Sequence, residues 1–331
     1  MIKSLALLSA LAAALYTTLT DAGEAGDYAG VPAVSLVLSG AARPARRPHA
    51  PGISEYRVVS GGIERRYLMY VPESYDGRSA LPVVFDFHGS GSDPREELEV
   101  SGMDRAAERR GLLLLMPAAE LDSPGGGKTW NVPPVAGLPS DVRFALDVLE
   151  DAAGRVRLDE TRVYATGFSG GARLASELAC RAPDRIAAVG AVGGLRAPTG
   201  CREQPLPVVA FHGTGDPINP YTGGGAEYWG YGIDAAVHGW LLRNGCARVP
   251  ARARVAPGVT EISYAGCAEN ADFVLYRIEG GGHVWPGSRY PFPRERFGRS
   301  VAELDATAVM LDFFAGRAIA ADRADGKRSR Q

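Results

Sequence analysis

The sequence contains few cysteines, little net charge and no long internal apolar run. Its 331 residues carry 36 Lys and Arg against 38 Asp and Glu, a formal net charge of -2. A chain without a basic excess has no electrostatic footprint for nucleic acid, so we expect no nucleic-acid partner. Beyond the N-terminus, no apolar stretch reaches the roughly 18 residues of a membrane helix. With 46% apolar and 22% charged side chains, the composition is typical of a globular protein and excludes intrinsic disorder.

The N-terminus has the pattern of an export signal. Lys3 precedes an apolar stretch from Leu5 to Leu19, and small residues follow. We predict a signal peptide over 1–25 and a linker over 26–52, where Pro and Ala show little periodicity. An uncleaved anchor helix is the alternative, but the apolar stretch is short for a span. The protein is therefore expected to be secreted, extracellular or periplasmic, with no membrane span after signal removal.

The four cysteines form two pairs with equal spacing. Cys180 and Cys201 are 21 residues apart, and so are Cys246 and Cys267. Pairing in sequence order closes the shortest loops, and we favour it over the two other pairings that four cysteines allow. Neither pair has the short CxxC spacing of metal or redox sites. We therefore predict structural disulfides and no metal.

Short apolar runs alternate with helical patterns along the rest of the chain. The predicted strands are 57–59, 66–71, 82–88, 112–117, 163–168, 186–192, 207–212 and 273–278, and the predicted helices are 94–110, 141–154, 171–181, 232–244 and 300–315. Apolar runs without alternation suit strands buried on both faces of a mostly parallel sheet. The predicted class is α/β, with about eight strands in a twisted sheet and helices on both faces. We predict a single domain over 53–316, a polar tail over 317–331, and a monomer.

Glycine is far above ordinary usage. There are 42 Gly and 23 Pro, where average composition would give roughly 23 and 17. The glycines cluster after the predicted strands, at positions 89 and 91, 125–127, 167, 170 and 171, 193 and 194, 213 and 215, 223–225, and 280–282. In open α/β sheets, ligands bind at the carboxyl ends of the strands. These loops are therefore predicted to form a functional rim, with ordinary loop glycine as the alternative.

A candidate nucleophile lies in one of these loops. Gly167-Phe168-Ser169-Gly170-Gly171 matches GxSxG between a predicted strand and a predicted helix. In that setting a sharp turn places the serine hydroxyl above the sheet, with the helix N-terminus beneath it. The motif alone is weak, and a serine in an ordinary strand–helix turn is the alternative. A serine hydroxyl is a poor nucleophile and requires a general base.

The general base must be one of few residues. The histidines are His49, His88, His212, His238 and His283. Three follow Ser169, as the chain order serine, acid, histidine requires. His238 lies in a predicted helix, and His212 ends a strand and is expected to support the next loop. We predict His283, in the loop after the last strand, as the base.

The acid that orients the base should come from a loop between Ser169 and His283. Asp216 lies in such a loop, directly after a predicted strand, and would hold the imidazole tautomer and stabilise the imidazolium. Asp234 and Asp272 are rivals that do not directly follow a strand. A turn aspartate before proline is the structural alternative for Asp216. We predict Asp216.

Two backbone N–H groups must stabilise the developing oxyanion. One is expected from Gly170, the residue after the nucleophile. The other is expected from the loop after the third strand, where we predict Ser90, with Gly89 and Gly91 as alternatives. His88 is expected to brace this loop.

Several segments together resemble a known family. They are Phe87-His88-Gly89-Ser90-Gly91, residues 164–171, His212-Gly213-Thr214-Gly215-Asp216-Pro217 and residues 280–287. They resemble the secreted poly(3-hydroxybutyrate) depolymerase and feruloyl esterase group, which is related to carbohydrate esterase family 1. The resemblance runs from about Arg57 to Ala315, and the cysteines fall where this group has them. It implies an α/β-hydrolase fold with the triad Ser169, Asp216 and His283. Gly170 is a departure, because many relatives have Asn there.

These observations predict a serine carboxylic-ester hydrolase that forms an acyl-enzyme and needs no cofactor. The expected substrate is a hydroxyalkanoate oligomer or a feruloylated or acylated polysaccharide fragment. Trp285, Trp130, Tyr221 and Tyr228 are predicted to contact it, because aromatic rings stack on such groups. The alternatives are an acetylxylan or other plant-wall carbohydrate esterase, an acyltransferase, or a non-catalytic binding protein on the same scaffold.

Overall fold

A computed structural model describes residues 50–202 and 204–319 of the chain. The predicted signal peptide, most of the linker and most of the polar tail lie outside the described residues. Within the described ranges, no helix is both long and apolar enough to cross a bilayer.

A ten-stranded sheet forms the centre of the molecule, in the order β1-β2-β4-β3-β7-β8-β9-β12-β11-β10. Its strands are β1 (Gly52–Ser60), β2 (Ile63–Val71), β3 (Leu81–Phe87), β4 (Leu113–Pro117), β7 (Leu158–Phe168), β8 (Ala188–Val192), β9 (Val208–Gly213), β10 (Ala251–Ala256), β11 (Val259–Tyr264) and β12 (Phe273–Ile278). Six strands that are consecutive in this order run parallel to one another, namely β4, β3, β7, β8, β9 and β12. Antiparallel strands complete both edges. A separate small pair consists of β5 (Leu121–Asp122) and β6 (Lys128–Thr129).

The predicted mostly parallel sheet is confirmed, and all eight predicted strands are present. The count of about eight was too low because the hairpin of β10 and β11 extends one edge. The β10 strand, Ala-Arg-Ala-Arg-Val-Ala, is almost entirely exposed at this edge. An exposed edge strand has no need of an apolar face, so it lacks the buried pattern that identified the other strands.

Helices cover both faces of the sheet, as predicted. They are α1 (Pro94–Ser101), α2 (Met103–Arg110), α3 (Asp141–Arg155), α4 (Gly170–Arg181), α5 (Ile233–Asn244), α6 (Arg294–Phe297) and α7 (Ala306–Phe314), with 3₁₀ turns at Glu227–Trp229 and Ala268–Asn270. The helix predicted over 94–110 is two helices, because Gly102 adopts a left-handed conformation at φ 61° and ends α1. The last helix begins at Ala306, where the Asp305 side chain caps it by accepting from the Ala308 N–H.

Two apolar cores lie on opposite faces of the sheet. One contains residues of α3, α4 and α5 packed on the sheet, including Phe144, Leu174 and Trp240. The other contains residues of α1, α2 and α7, including Met103 and Met310. Ile319 is also buried in the second core, and its N–H donates to Thr161 O at 2.8 Å. The chain beyond the predicted boundary at 316 therefore still packs on the domain.

Two disulfides join the cysteines in sequence order, Cys180–Cys201 and Cys246–Cys267. The first links the end of α4 to the loop after β8. The second links the end of α5 to the segment after β11. Each holds the C-terminal end of a helix to a later loop, and the two cysteines of each pair are 21 positions apart.

The start of α4 approaches β3 so closely that only glycine fits. A Cβ on Gly171 would lie 1.9 Å from the Phe87 carbonyl oxygen, and a Cβ on Gly167 would lie 2.4 Å from the same atom. Both glycines therefore set the distance between the strand–helix turn and the neighbouring strand.

We expect Gly171→Ala to destabilise the protein by about 1–3 kcal/mol, because the new methyl group must displace backbone. The matched control is Gly154→Ala in α3, where a Cβ would meet nothing within 4 Å. Alanine favours a helix over glycine by about 0.5–1 kcal/mol, so this control should be stabilised. Urea denaturation of both variants measures the difference, and a stabilised Gly171→Ala would contradict the packing argument.

Candidate active site

Ser169 lies at the junction of β7 and α4 with a backbone that few side chains adopt. Its φ and ψ angles are 53° and -110°. A non-glycine residue in such a region is strained and persists only where its surroundings hold it. Here the Ser169 N–H donates to Val192 O at 2.8 Å, and a Cβ on Gly194 would lie 2.1 Å from Ser169 O. Neighbouring backbone therefore closes tightly on the serine, in the strand–turn–helix setting of a nucleophile elbow.

Asp216 and His283 form a buried hydrogen-bonded pair. Asp216 follows β9, His283 follows β12, and Nδ1 of the histidine lies 2.7 Å from Oδ2 of the aspartate. Oδ1 accepts the N–H groups of Ile218 and Asn219 at 2.9 and 2.7 Å. Burial alone would raise the pKa of Asp216, but His283, His212 and these N–H donors hold that pKa below its ordinary value. An ionised Asp216 assigns the His283 proton to Nδ1 and leaves Nε2 free to act as a base.

The serine and the acid–base pair lie at the same end of the sheet. The Phe168 ring, directly before the serine, lies 4.8 Å from the His283 ring, centroid to centroid. Asn219 connects the two sides, because its N–H donates to Asp216 and its Nδ2 donates to Gly193 O at 2.7 Å. A Cβ on Gly193 would lie 3.4 Å from the imidazole. The structure thus pairs Asp216 with His283 and places Ser169 at the same end of the sheet, at the carboxyl ends of β7, β9 and β12.

Two backbone N–H groups beside Ser169 remain available to a ligand. Among the described residues, neither the Gly170 N–H nor the Ser90 N–H has an acceptor. The groups on either side of Ser90 are occupied, since the Gly89 N–H donates to Glu97 at 3.3 Å and the Gly91 N–H donates to Lys128 O at 2.8 Å. A Cβ on Gly170 would lie 3.2 Å from the Ser90 nitrogen, so the two free donors are neighbours. This geometry favours Ser90 over Gly89 and Gly91 as the second donor.

The loop that carries Ser90 is braced from below. The His88 Nε2 accepts the Ala119 N–H at 3.0 Å, and its Nδ1 lies 2.8 Å from Gly89 O. The Trp130 Nε1 donates to His88 O at 2.7 Å. Burial lowers the pKa of His88 to about 4, so the ring is neutral at pH 7. His88 therefore braces the loop, as its sequence position suggested.

Comparisons with known proteins give the family. No family model matches the chain. It is 31% identical over 305 residues to the candidate esterase NocK of Nocardia uniformis subsp. tsuyamanensis, a match that covers 82% of this chain and 85% of NocK. The chain belongs to the feruloyl esterase-like family. It is also 28% identical to feruloyl esterase D of Neurospora crassa, over 71% of this chain and 79% of that one. Feruloyl esterase B of Piromyces equi is 27% identical over 66% of this chain but only 42% of its own length.

Solved structures with low identity show the same fold. An acetyl xylan esterase from Aspergillus awamori superposes with a TM-score of 0.53 at 15% identity, covering 70% of this chain and 94% of that one. A thermostable esterase gives 0.52 at 14% identity, covering 80% of this chain and 63% of its own. The predicted α/β-hydrolase fold is confirmed. The family and the fold together make this protein a carboxylic ester hydrolase.

Two of the four aromatic residues predicted to contact substrate lie in the core of this esterase. Trp285 is 1% exposed, and its Nε1 donates to Thr307 Oγ1 at 2.9 Å. Trp130 is 3% exposed and packs edge-on against Phe87, beneath the loop of residues 88–91 that carries Ser90, which we call the oxyanion loop. Both indole N–H groups already have buried acceptors, so both rings support the site from inside. They do not reach the surface where a substrate would bind.

The two tyrosines are closer to solvent. Tyr228 is 39% exposed, and the Arg173 guanidinium carbon lies 4.0 Å from the centre of its ring. Tyr221 is half-buried, and its hydroxyl donates to Asp234 Oδ1 at 2.9 Å. Asp234 is therefore bound to Tyr221, and this alternative acid takes no part in the Asp216–His283 pair. Tyr228 is the predicted aromatic residue best placed to meet a ligand.

His212 supports the acid loop from the inside. Its Nε2 lies 2.8 Å from Asn219 O and 3.4 Å from Asp216 Oδ2, and its ring stacks on Trp229. Burial lowers the pKa of His212 to about 4, so it is a neutral ring beside Asp216 at pH 7. The rival His238 is exposed on α5.

A buried acidic pair beneath the oxyanion loop was not predicted from the sequence. Asp86 on β3 and Glu97 on α1 are 0% and 1% exposed, and Glu97 Oε2 accepts the Gly89 N–H. Burial raises the pKa of both carboxyls, that of Asp86 to about 7, and the charge of Asp86 raises the pKa of Glu97 further. The one available signal was the position of Asp86 within an otherwise apolar predicted strand. Arg173 and Arg196 were also missed, because an arginine in a helix or loop is ordinarily a surface residue.

Asp86→Asn should stabilise the protein more at pH 8 than at pH 5. The folded-state pKa of Asp86 is about 7, well above the ordinary value of 3.8. The protonated carboxyl therefore makes its full contribution to the free energy of unfolding below about pH 4, and this contribution is lost as the pH rises through 7. Asparagine keeps the acceptor for the Ser101 hydroxyl without the charge, and we expect a gain of about 2–4 kcal/mol at pH 8.

Thermal unfolding of both proteins at the two pH values tests this. The control is Asp312→Asn on α7, an exposed position where the pH dependence should not change. Equal destabilisation of Asp86→Asn at pH 5 and at pH 8 would contradict the raised pKa of Asp86.

Proposed function

We propose that this esterase is a secreted serine hydrolase that cleaves carboxylic esters through an acyl-enzyme on Ser169. The observation that supports it best is the Asp216–His283 hydrogen bond of 2.7 Å at the sheet end that holds the strained serine. In the proposed first step, His283 Nε2 takes the Ser169 proton while Oγ attacks the ester carbonyl. The N–H groups of Gly170 and Ser90 stabilise the oxyanion, and the returning proton leaves with the alcohol.

Deacylation reverses the roles of the same groups. Water attacks the acyl-enzyme, His283 takes its proton, and the carboxylic acid leaves as the serine recovers its hydrogen. Asp216 stays ionised throughout, because the N–H donors from Ile218 and Asn219 favour the carboxylate. Nothing in this sequence of steps requires a cofactor.

Export is part of the proposal. Two disulfides suit an oxidising compartment, outside the cytoplasm. They support the predicted signal peptide over 1–25, followed by a linker and a catalytic domain that continues at least to Ile319. We propose that the mature enzyme acts in the extracellular space or the periplasm.

We propose a substrate of the feruloyl esterase or hydroxyalkanoate type. The relatives named above include feruloyl esterases B and D, and a fold neighbour is an acetyl xylan esterase. A pocket of about 340 Å³ is lined by Arg173, Tyr228 and Tyr231, and the Arg173 side chain also reaches Ser90 of the oxyanion loop. Such a volume holds a small ester or a chain end and not the body of a polymer. Acetylated xylan is the alternative that the fold neighbour favours.

Ser169→Ala should lower kcat/KM on p-nitrophenyl butyrate by at least about 10³-fold, since the nucleophile of a triad acts with its base as a unit. The matched control is Ser79→Ala, an exposed serine that should keep full activity. A fluorophosphonate should label the wild type and Ser79→Ala but not Ser169→Ala. Undiminished hydrolysis by Ser169→Ala would refute the proposal, and activity without labelling would point to another nucleophile.

A substrate panel separates the remaining alternatives. Methyl ferulate, hydroxybutyrate oligomers, acetylated xylan and p-nitrophenyl butyrate are assayed side by side, with product analysis in the presence of an alcohol acceptor. We expect acid products, and higher kcat/KM on the first two substrates than on acetylated xylan. A dominant ester product would make the protein an acyltransferase instead.

A further inference from the structure

Two buried arginines near Ser169 have no carboxylate partner. Arg173 on α4 and Arg196 after β8 are each 7% exposed. Neither makes an ion pair with any described carboxylate, whereas Arg143, Arg155 and Arg181 on the helices each do. Nε and Nη1 of Arg173 and Nη2 of Arg196 are buried nitrogens with no hydrogen-bond partner among the described residues. Two positive charges are therefore held inside the molecule without a countercharge.

The protein compensates for these charges only in part. The Arg173 Nη2 donates to Ser90 Oγ at 3.3 Å, and the guanidinium lies 4.0 Å from the Tyr228 ring centre. Arg196 donates to two carbonyl oxygens and lies 3.2 Å from the Trp229 ring centre. Aromatic faces attract cations, but they do not neutralise them. Burial lowers the pKa of both arginines, that of Arg196 to about 10, so both remain charged at pH 7.

Both arginines line the 340 Å³ pocket described above. The other charged residues of its lining are Arg181, Glu177 and Glu227. Arg181 and Glu177 pair with each other at 2.7 Å, so Glu177 is already engaged. With three arginines and two glutamates, the lining has an excess of one positive charge. A ligand with one negative charge would balance it, whereas a phosphate dianion would exceed it.

Arg173 connects this pocket to the surroundings of Ser169, although Ser169, Ser90 and His283 do not themselves line the pocket. Arg173 lies one helical turn after Ser169, and its N–H donates to Ser169 O at 3.2 Å. A Cβ on Gly170 would lie 2.3 Å from Ser90 Oγ and 3.3 Å from Arg173 Nη2. Gly170 therefore leaves open the space in which the Arg173 side chain contacts Ser90. A side chain at this position would occupy that space.

We propose that this pocket binds a carboxylate group of the substrate, so that the preferred ester is an acid that carries a free carboxylate close to the scissile bond. The proposal rests on the proposed esterase function and names the class of ester. Guanidinium groups bind carboxylates through charge-assisted hydrogen bonds, and the flanking Tyr228 and Tyr231 rings can cover an apolar stem. Arg173 would be a specificity-determining residue, with Arg196 as the second cation.

The test compares matched esters that differ only in a carboxylate. One pair is the hydroxybutyrate trimer with a free terminal carboxylate and the same trimer with a terminal amide. The other is monophenyl adipate and phenyl hexanoate. We expect the wild type to prefer the acid member of at least one pair by roughly tenfold or more in kcat/KM, since hydrogen bonds to ionised groups are the strong ones. In Arg173→Gln the ratio of acid to neutral ester should fall toward one.

The control is Arg143→Gln on α3, which removes an exposed positive charge and should leave the ratio unchanged. The wild-type ratio requires no variant, so a misfolded Arg173→Gln would not prevent the test. Equal rates on both members of both pairs would overturn the carboxylate proposal while leaving the esterase function intact. Failure to hydrolyse any of the four esters would count against both proposals, and the Ser169 labelling experiment then shows whether the nucleophile is reactive.

Discussion

The close contact between the β7–α4 turn and the end of β3 is the constraint on which the rest of the site depends. A serine with φ of 53° requires neighbouring backbone on every side to hold it. Gly167 and Gly171 allow Phe87 O to approach, and Gly194 allows the next strand end to approach Ser169 O. The glycine excess of the sequence thus has a steric origin at this junction. A side chain at Gly167 or Gly171 would push the turn away from β3, and one at Gly194 would push it away from the end of β8.

The same contact explains why the oxyanion loop is supported by unusual buried groups. The loop leaves β3 directly beneath the serine, so its backbone N–H groups must be either free for a ligand or paired from below. Glu97 accepts the Gly89 N–H from below, and Lys128 O accepts that of Gly91. Only Ser90 is left with a free donor. Asp86 and Glu97 lie under the loop that is predicted to bind the oxyanion, and burial raises the pKa of both carboxyls, which favours their uncharged forms.

Much of this site could be predicted from the sequence, because chain order and strand ends determine where its polar residues meet. Ser169, Asp216 and His283 each follow a buried strand, and parallel strands bring such positions together. Burial of amphipathic side chains could not be predicted in the same way. Trp130 and Trp285 occur in glycine-rich loops that suggested exposure, yet a single buried acceptor for each indole N–H keeps both inside. The edge strand β10 was missed for the opposite reason, since its exposed residues show no apolar pattern.

The environments of two arginines on α4 could not be predicted from the sequence. Arg173 and Arg181 lie on the same helix, and in the sequence nothing distinguishes them. In the fold, Arg181 reaches Glu177 at 2.7 Å, whereas Arg173 points toward the oxyanion loop and meets only a hydroxyl and an aromatic ring. A buried cation is costly unless a countercharge arrives, and the fold supplies none within the described residues. A substrate carboxylate would then bind to cations that folding has already removed from water. Catalysis and specificity would thus share one helix, with the nucleophile at its start and the cation one turn later.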